Sequence, residues 1–164
     1  MRLTWAGAHR HRHINTGRRS GFSMLEMLVV IIIIAVLVGI VIPKISRIMR
    51  HERVNRAAQV LVQDLQNGYA MAGRQRAPVR LTFTPTAQMY VFTDRASGTV
   101  LQTRVMSSGA DYSLTGMSVE GGNTIDILPN GIGSTAFTVE LINGDYSRKV
   151  FASTAGFVRI TPTQ

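Results

Sequence analysis

Apolar and polar residues follow three different rules along this chain of 164 residues. Residues 22–42 form an unbroken apolar run whose only charge is Glu26. As a helix that run reaches about 31 Å, against roughly 30 Å for the hydrocarbon core of a bilayer. After Pro43, apolar residues return at spacings of three and four: Ile45, Ile48, Met49, Val54, Ala57, Ala58, Leu61, Leu65 and Tyr69. Those spacings predict an amphipathic helix to about Ala72. Pro43 has no backbone N–H and crowds the preceding turn, and Gly39 weakens the same region, so a kink or a local loosening is expected there.

Beyond Gly73 the period becomes two. Val79, Leu81 and Phe83 alternate with Arg80, Thr82 and Thr84. Further strand-like segments lie near residues 88–93, 99–105, 112–119, 124–128, 136–142, 146–153 and 156–161. Asn143-Gly144 is a two-residue hairpin signal, and Pro129-Asn130-Gly131 and Ala155-Gly156 mark turns. The pattern predicts an α+β fold: one long N-terminal helix whose second half packs on an antiparallel β-sheet.

A carboxylate inside an apolar run costs a few kcal/mol in lipid unless it finds a partner. Glu26 follows the junction Arg18-Arg19-Ser20-Gly21-Phe22-Ser23-Met24-Leu25. With Pro43 at the end of the run, Gly21, Phe22 and Glu26 give four fixed points in one order. In this the N-terminus resembles the type IV pilins and the pseudopilins of type II secretion. Met24 and Met27 stand where leucine is commoner in that family, and the leader is long for it. The resemblance implies that a prepilin peptidase cuts between Gly21 and Phe22 and N-methylates Phe22. It also implies that Glu26 pairs with the new amine in an assembled filament, and that helix is lost locally around Pro43 on assembly.

Two plainer accounts fit some of these residues. Ser23-x-x-Glu26 matches a capping box. An N-terminal basic stretch followed by an apolar core also describes a signal peptide, but Pro43-Lys44-Ile45-Ser46-Arg47 offers no small-residue cleavage site, so the segment is expected to stay. An uncleaved anchor is the competing reading.

Charge changes the picture less than the total suggests. The formal charge is +9. Residues 1–21 hold Arg2, Arg10, Arg12, Arg18 and Arg19 and no acid, so their removal leaves 13 basic against 9 acidic side chains, or +4. Lys44, Arg47, Arg50, Arg53 and Arg56 follow the span, which nearly ties the count of cations on its two sides. These five recur every third position and wind around a helix. They read either as a collar at an anionic lipid surface or as pairing groups for acids of a neighbouring subunit.

No catalytic constellation emerges. His9, His11, His13 and His51 all precede the β-rich region, and Trp5 lies in the leader. Asp94, Asp111, Glu120, Asp126, Glu140 and Asp145 are scattered, without calcium-ligand spacing. Gly121-Gly122 and Gly131-x-Gly133 are not followed by the helix a phosphate loop needs. There is no cysteine. No cofactor and no metal are expected, and the chain is read as not an enzyme.

The domain narrows the resemblance. Leu61-x3-Leu65 running into Arg74-Gln75-Arg76-Ala77-Pro78-Val79, the stretch Ile125-x-Ile127-Leu128-Pro129-Asn130-Gly131, and the ending 148–160 resemble the GspH/FimT group of minor pilins and pseudopilins. The implied organisation is a leader at 1–21, a transmembrane assembly helix at 22–42, its amphipathic second half at 43–72 and a periplasmic β-rich domain at 73–164. The implied role is a minor pseudopilin of type II secretion, single-pass in the inner membrane, at or near the tip of the pseudopilus. Its partners would be the prepilin peptidase and other minor and major pilins or pseudopilins. The alternative is a FimT- or FimU-like minor type IV pilin in pilus assembly or DNA uptake. For DNA, Arg148, Lys149 and Arg159 are the candidate contacts, with Phe151 or Phe157 available for stacking. Gly156-Phe157-Val158-Arg159 keeps one of the two arginines of the DNA-binding loop in that group.

Overall fold

The computed structural model describes residues 21–161, without the side chains of 41–43. Helix α1 spans Met24–Gln75. Eight strands follow: β1 Val79–Thr84, β2 Met89–Asp94, β3 Val100–Val105, β4 Gly116–Glu120, β5 Thr124–Ile127, β6 Phe137–Asn143, β7 Tyr146–Ala152 and β8 Val158–Thr161. A short 3-10 turn, Pro85–Ala87, links β1 to β2. The chain divides into two compact units after Ile40.

In the first unit every residue from 21 to 40 is exposed. This is the apolar part of the one helix, among the described residues, long and apolar enough to cross a membrane. The helical backbone assignment continues through Pro43.

In the second unit the amphipathic part of α1 buries Val54, Ala57, Ala58, Leu61, Leu65 and Ala72. The single sheet expected from the sequence is in fact two four-stranded antiparallel sheets. Their orders are β3-β2-β1-β5 and β4-β6-β7-β8. Core positions alternate as a half-buried strand requires. The first sheet contributes Val79, Leu81, Phe83, Tyr90, Phe92, Ile125 and Ile127, and the second Met117, Phe137, Val139, Leu141, Val150 and Ala152. Phe83 and Phe137 meet across the sheets with ring centroids 5.7 Å apart.

Several boundaries shift for local reasons. The helix runs to Gln75, and Arg76 takes a left-handed conformation at φ 52°, as a residue just past a helix end often does. Residues 112–115 are not strand; β4 starts at Gly116. The β6–β7 hairpin turns on Gly144-Asp145, one residue later than expected, because Asn143 pairs with Tyr146 as the last strand residue. Only Gly144 has positive φ, at 60°, the pattern of a type II′ turn with glycine first. The Asn143 amide is buried and donates to the Ser113 carbonyl at 2.9 Å.

Gly68 lets the helix approach the first sheet. A Cβ there would lie 2.5 Å from a ring carbon of Phe92, which is fully buried. Gly68→Ala should therefore destabilise the domain by about 1–3 kcal/mol through overpacking, despite alanine's better helix propensity. Chemical denaturation would check this, and a variant as stable as the parent would contradict the close approach.

Candidate functional site

The candidate assembly segment opens α1. Gly21 and Phe22 lie in non-helical backbone just before Met24, and Phe22 is 72% exposed. The bond between them is thus accessible and unconstrained by helix hydrogen bonding. Ser23 Oγ accepts the Glu26 N–H at 3.1 Å, satisfying one free donor of the first turn. This is half of the capping box. The Glu26 carboxylate makes no hydrogen bond or ion pair among the described residues, so its only local stabilisation is the positive end of the helix dipole. The side chain of Pro43 lies outside the described residues, as do residues 1–20 of the leader.

The three cations singled out for DNA do not share one surface. On β7, Val150 and Ala152 face the core, which puts Arg148 on the same side and Lys149 on the other. Arg148 Nε donates to Asn55 Oδ1 of α1 at 2.7 Å, and its Nη2 lies 3.3 Å from His51 Nε2. The His51 ring meets Tyr146 edge-on at 5.4 Å. Arg148 therefore ties β7 to the helix. Lys149 pairs in register with Glu140 on β6, Nζ to Oε2 at 3.9 Å. Arg159 sits 5.4 Å from the centroid of Phe151 on the outer face of the second sheet. Only Lys149 and Arg159 remain together, beside one acid; Phe157 is 63% exposed in the loop before β8.

Arg148→Ala should accordingly cost about 1.5–3 kcal/mol of stability, the usual worth of a hydrogen bond to a charged group. Asn55→Ala should cost a similar amount, and the double variant little more than either alone. A thermodynamic cycle with additive effects would contradict the clamp.

One polar network was not foreseen. Asp64, 4% exposed, lies on the apolar face of α1 beside Leu61 and Leu65. Its carboxylate accepts the Tyr90 hydroxyl at 2.7 Å and a two-pronged Arg104 guanidinium at 2.9 and 3.1 Å. Burial alone would raise the Asp64 carboxyl, but hydrogen bonds from Arg104, Tyr90 and Gln102 and the charge of Arg104 hold it below its ordinary range. Burial and the adjacent carboxylate push the Tyr90 hydroxyl strongly up. An aspartate in phase with leucines was the available signal; its partners, 26 and 40 residues away, left none. This network is a staple between α1 and the first sheet, with Asp64 and Tyr90 buried and Arg104 partly open to solvent.

Two stretches noted in the sequence also prove to be structural. The loops after β5 and after β7 meet over Tyr69: its hydroxyl donates to the Ser153 carbonyl at 3.4 Å, and Gly133 N–H donates to the Thr154 carbonyl at 2.7 Å. On the outer face of the first sheet, Arg80 and Arg95 share Asp126 at 2.8 and 3.2 Å. Among the described residues no group of three or more His, Asp or Glu is placed to hold a metal ion.

Comparison with known proteins adds what geometry does not. A profile of the prokaryotic N-terminal methylation motif matches residues 16–42. A profile of type II transport protein GspH matches residues 57–156, more than half the chain. No curated protein matches the sequence as a relative. Among solved structures, the Pseudomonas aeruginosa type IV minor pilin FimU is similar at TM-score 0.56 and 18% identity, over 68% of this chain and 90% of that one. The minor pseudopilin EpsH from the type II secretion system of Vibrio cholerae is similar at TM-score 0.56 and 14% identity, over 70% and 97%. At such identities the likeness is one of fold: a pilin-like α+β domain behind a long helix. By its sequence match, the chain belongs to the GspH family of type II transport proteins.

Proposed function

We propose that this chain is a minor pseudopilin, a building subunit of a type II secretion pseudopilus and not a catalyst. The observation that carries this is the order of two matches in one chain, a methylation motif at 16–42 followed by a GspH domain at 57–156. In this proposal prepilin peptidase cuts between Gly21 and Phe22 and methylates the new amine. The apolar segment holds the subunit in the inner membrane with the β-rich domain on the periplasmic side. On assembly the segment leaves lipid for the filament interior, where the Glu26 carboxylate takes the Phe22 amine of its own or a neighbouring chain. Pro43 lacks an N–H to donate, so the helix can loosen there without breaking a bond of its own.

Placement at or near the tip, among other minor subunits, follows from the same family resemblance. A DNA-uptake role is less favoured, because Arg148 is spent on the helix and Lys149 faces Glu140. Fewer free cations mean fewer phosphate contacts and weak binding.

Filaments sheared from cells that express the chain should contain it in amounts well below the major subunit. Normal expression in membranes with none in the filaments would contradict the proposal.

A further inference from the structure

In the β-rich domain Val100, Val105 and Ile160 are exposed on edge strands, whereas Ile132 and Phe157, 48% and 63% exposed, stand on loops. Each loop holds its apolar residue by both backbone groups. Ile132 N–H donates to Asn130 Oδ1 at 3.2 Å, and its carbonyl accepts the Leu128 N–H at 2.8 Å. Phe157 N–H donates to Ser153 Oγ at 3.1 Å, and its carbonyl accepts the Ser153 N–H at 2.9 Å. The two loops touch: a Cβ on Gly156 would lie 3.3 Å from the Gly131 carbonyl oxygen. One on Gly73, near the end of α1, would lie 3.8 Å from the Pro129 carbonyl oxygen. Both apolar side chains and the end of α1 are thus gathered at one end of the domain. Gly73 is followed by exposed Arg74 and Arg76, and Phe157 by exposed Arg159. None of these three arginines makes an ion pair among the described residues. Asp94 and Asp126, which pair in register with Val79 and Arg80 just after the helix, are already engaged. Asp126 is shared by Arg80 and Arg95, and Asp94 accepts the Ala96 and Ser97 N–H groups of its own turn at 2.8 Å.

We propose that this end of the domain docks on a neighbouring pilin-like subunit, at an apolar side chain flanked by carboxylates. Ile132 and Phe157 are the anchors. Their loops are already fixed by hydrogen bonds, so little ordering is needed when a partner covers them. Arg74, Arg76 and Arg159 form a cationic rim around an apolar centre, the arrangement of a protein-docking site, and they select an acidic partner. A second copy meeting through the same end would set arginines against arginines. A nucleic acid would use Phe157 and the cations but would leave Ile132 uncovered, because an isoleucine offers no ring for a base to stack on. The contact lies entirely within the second unit and makes no use of the apolar run. That the partner is another subunit rests on the chain being a filament component.

The test places the photocrosslinker p-benzoylphenylalanine at position 132 of the full chain, in cells that assemble the filament. The expected product is a cross-link to another pilin-like subunit, at a peptide that carries an apolar residue beside Asp or Glu. Phe157→Ala should lower its yield by at least about tenfold, the loss typical of an anchor residue. Phe157→Leu, which keeps an apolar side chain, should retain most of it. Arg74→Glu with Arg76→Glu should also lower the yield, and changing the partner's acids at the cross-linked peptide to lysine should restore it. Equal denaturation midpoints of these variants and the parent show that folding is unchanged. Cross-links only to a second copy, to a secreted protein, to lipid or to nothing would overturn the inference, as would a yield that ignores the charge reversal. If the chain is still present in sheared filaments, such a result leaves the filament reading standing. A chain found in membranes and in no filament would overturn both.

Discussion

Asp64→Ala is expected to destabilise the domain by about 3 kcal/mol, the low end of the 3–5 kcal/mol that breaking a buried ion pair costs. The low end applies because the Arg104 side chain is 35% exposed and regains some hydration when its partner is lost. The Tyr90 hydroxyl is less fortunate: it is fully buried and would lose its acceptor. Asp64→Asn should be milder, because an amide oxygen still accepts one bond. The same pair sets an acid limit. The Asp64 carboxyl is held below its ordinary 3.8 in the folded chain, so the unfolded chain binds this proton first as pH falls. Its contribution is complete above about pH 5 and is lost progressively below the ordinary value, toward the folded one. Denaturant unfolding of the full chain in detergent at several pH values would read both effects. A loss under about 1 kcal/mol would mean the contact behaves as an ordinary surface pair.

Glu26→Ala is expected to leave cleavage and membrane insertion intact and to lower incorporation into filaments by at least about tenfold, since an amine left without its carboxylate in an apolar setting costs several kcal/mol. The carboxylate has no partner within the described chain, and Ser23, not Glu26, supplies the helix cap. Alanine therefore removes no contact that the isolated subunit makes. Glu26→Asp should recover only part of the loss, because its shorter side chain has a shorter reach. Quantifying the variant in sheared filaments against its membrane pool separates assembly from synthesis. Wild-type incorporation of the alanine variant would show that the carboxylate serves no assembly contact.

Local patterns made the helix and strands legible, because a period of 3.6 or 2 is written in consecutive residues. The division into two sheets was not. It depends on β5 pairing with β1, Ile127 against Val79, and no periodicity reports which distant strand a segment will choose. Asp64 and Arg104 are separated in the same way: each was visible, and only the fold makes them partners. Arg148 is a different case. It shares strand parity with Val150 and Ala152, whereas Lys149 shares it with Phe151, so alternation alone assigned Arg148 to the inner face. Adjacent in sequence, Arg148 and Lys149 therefore lie on opposite faces of the sheet, and only Lys149 shares the face of Arg159. At the N-terminus the order Gly21, Phe22, Glu26 lies within the stretch that matches the methylation motif, and a linear motif is legible without the fold.

The central claim is that residues 1–21 are removed and Phe22 becomes a methylated N-terminus. The intact mass of the chain, purified from membranes of cells that contain a prepilin peptidase, tests it most directly. The account predicts the mass of residues 22–164 plus one methyl group. A mass equal to the full-length chain would contradict it and leave an uncleaved membrane anchor in its place.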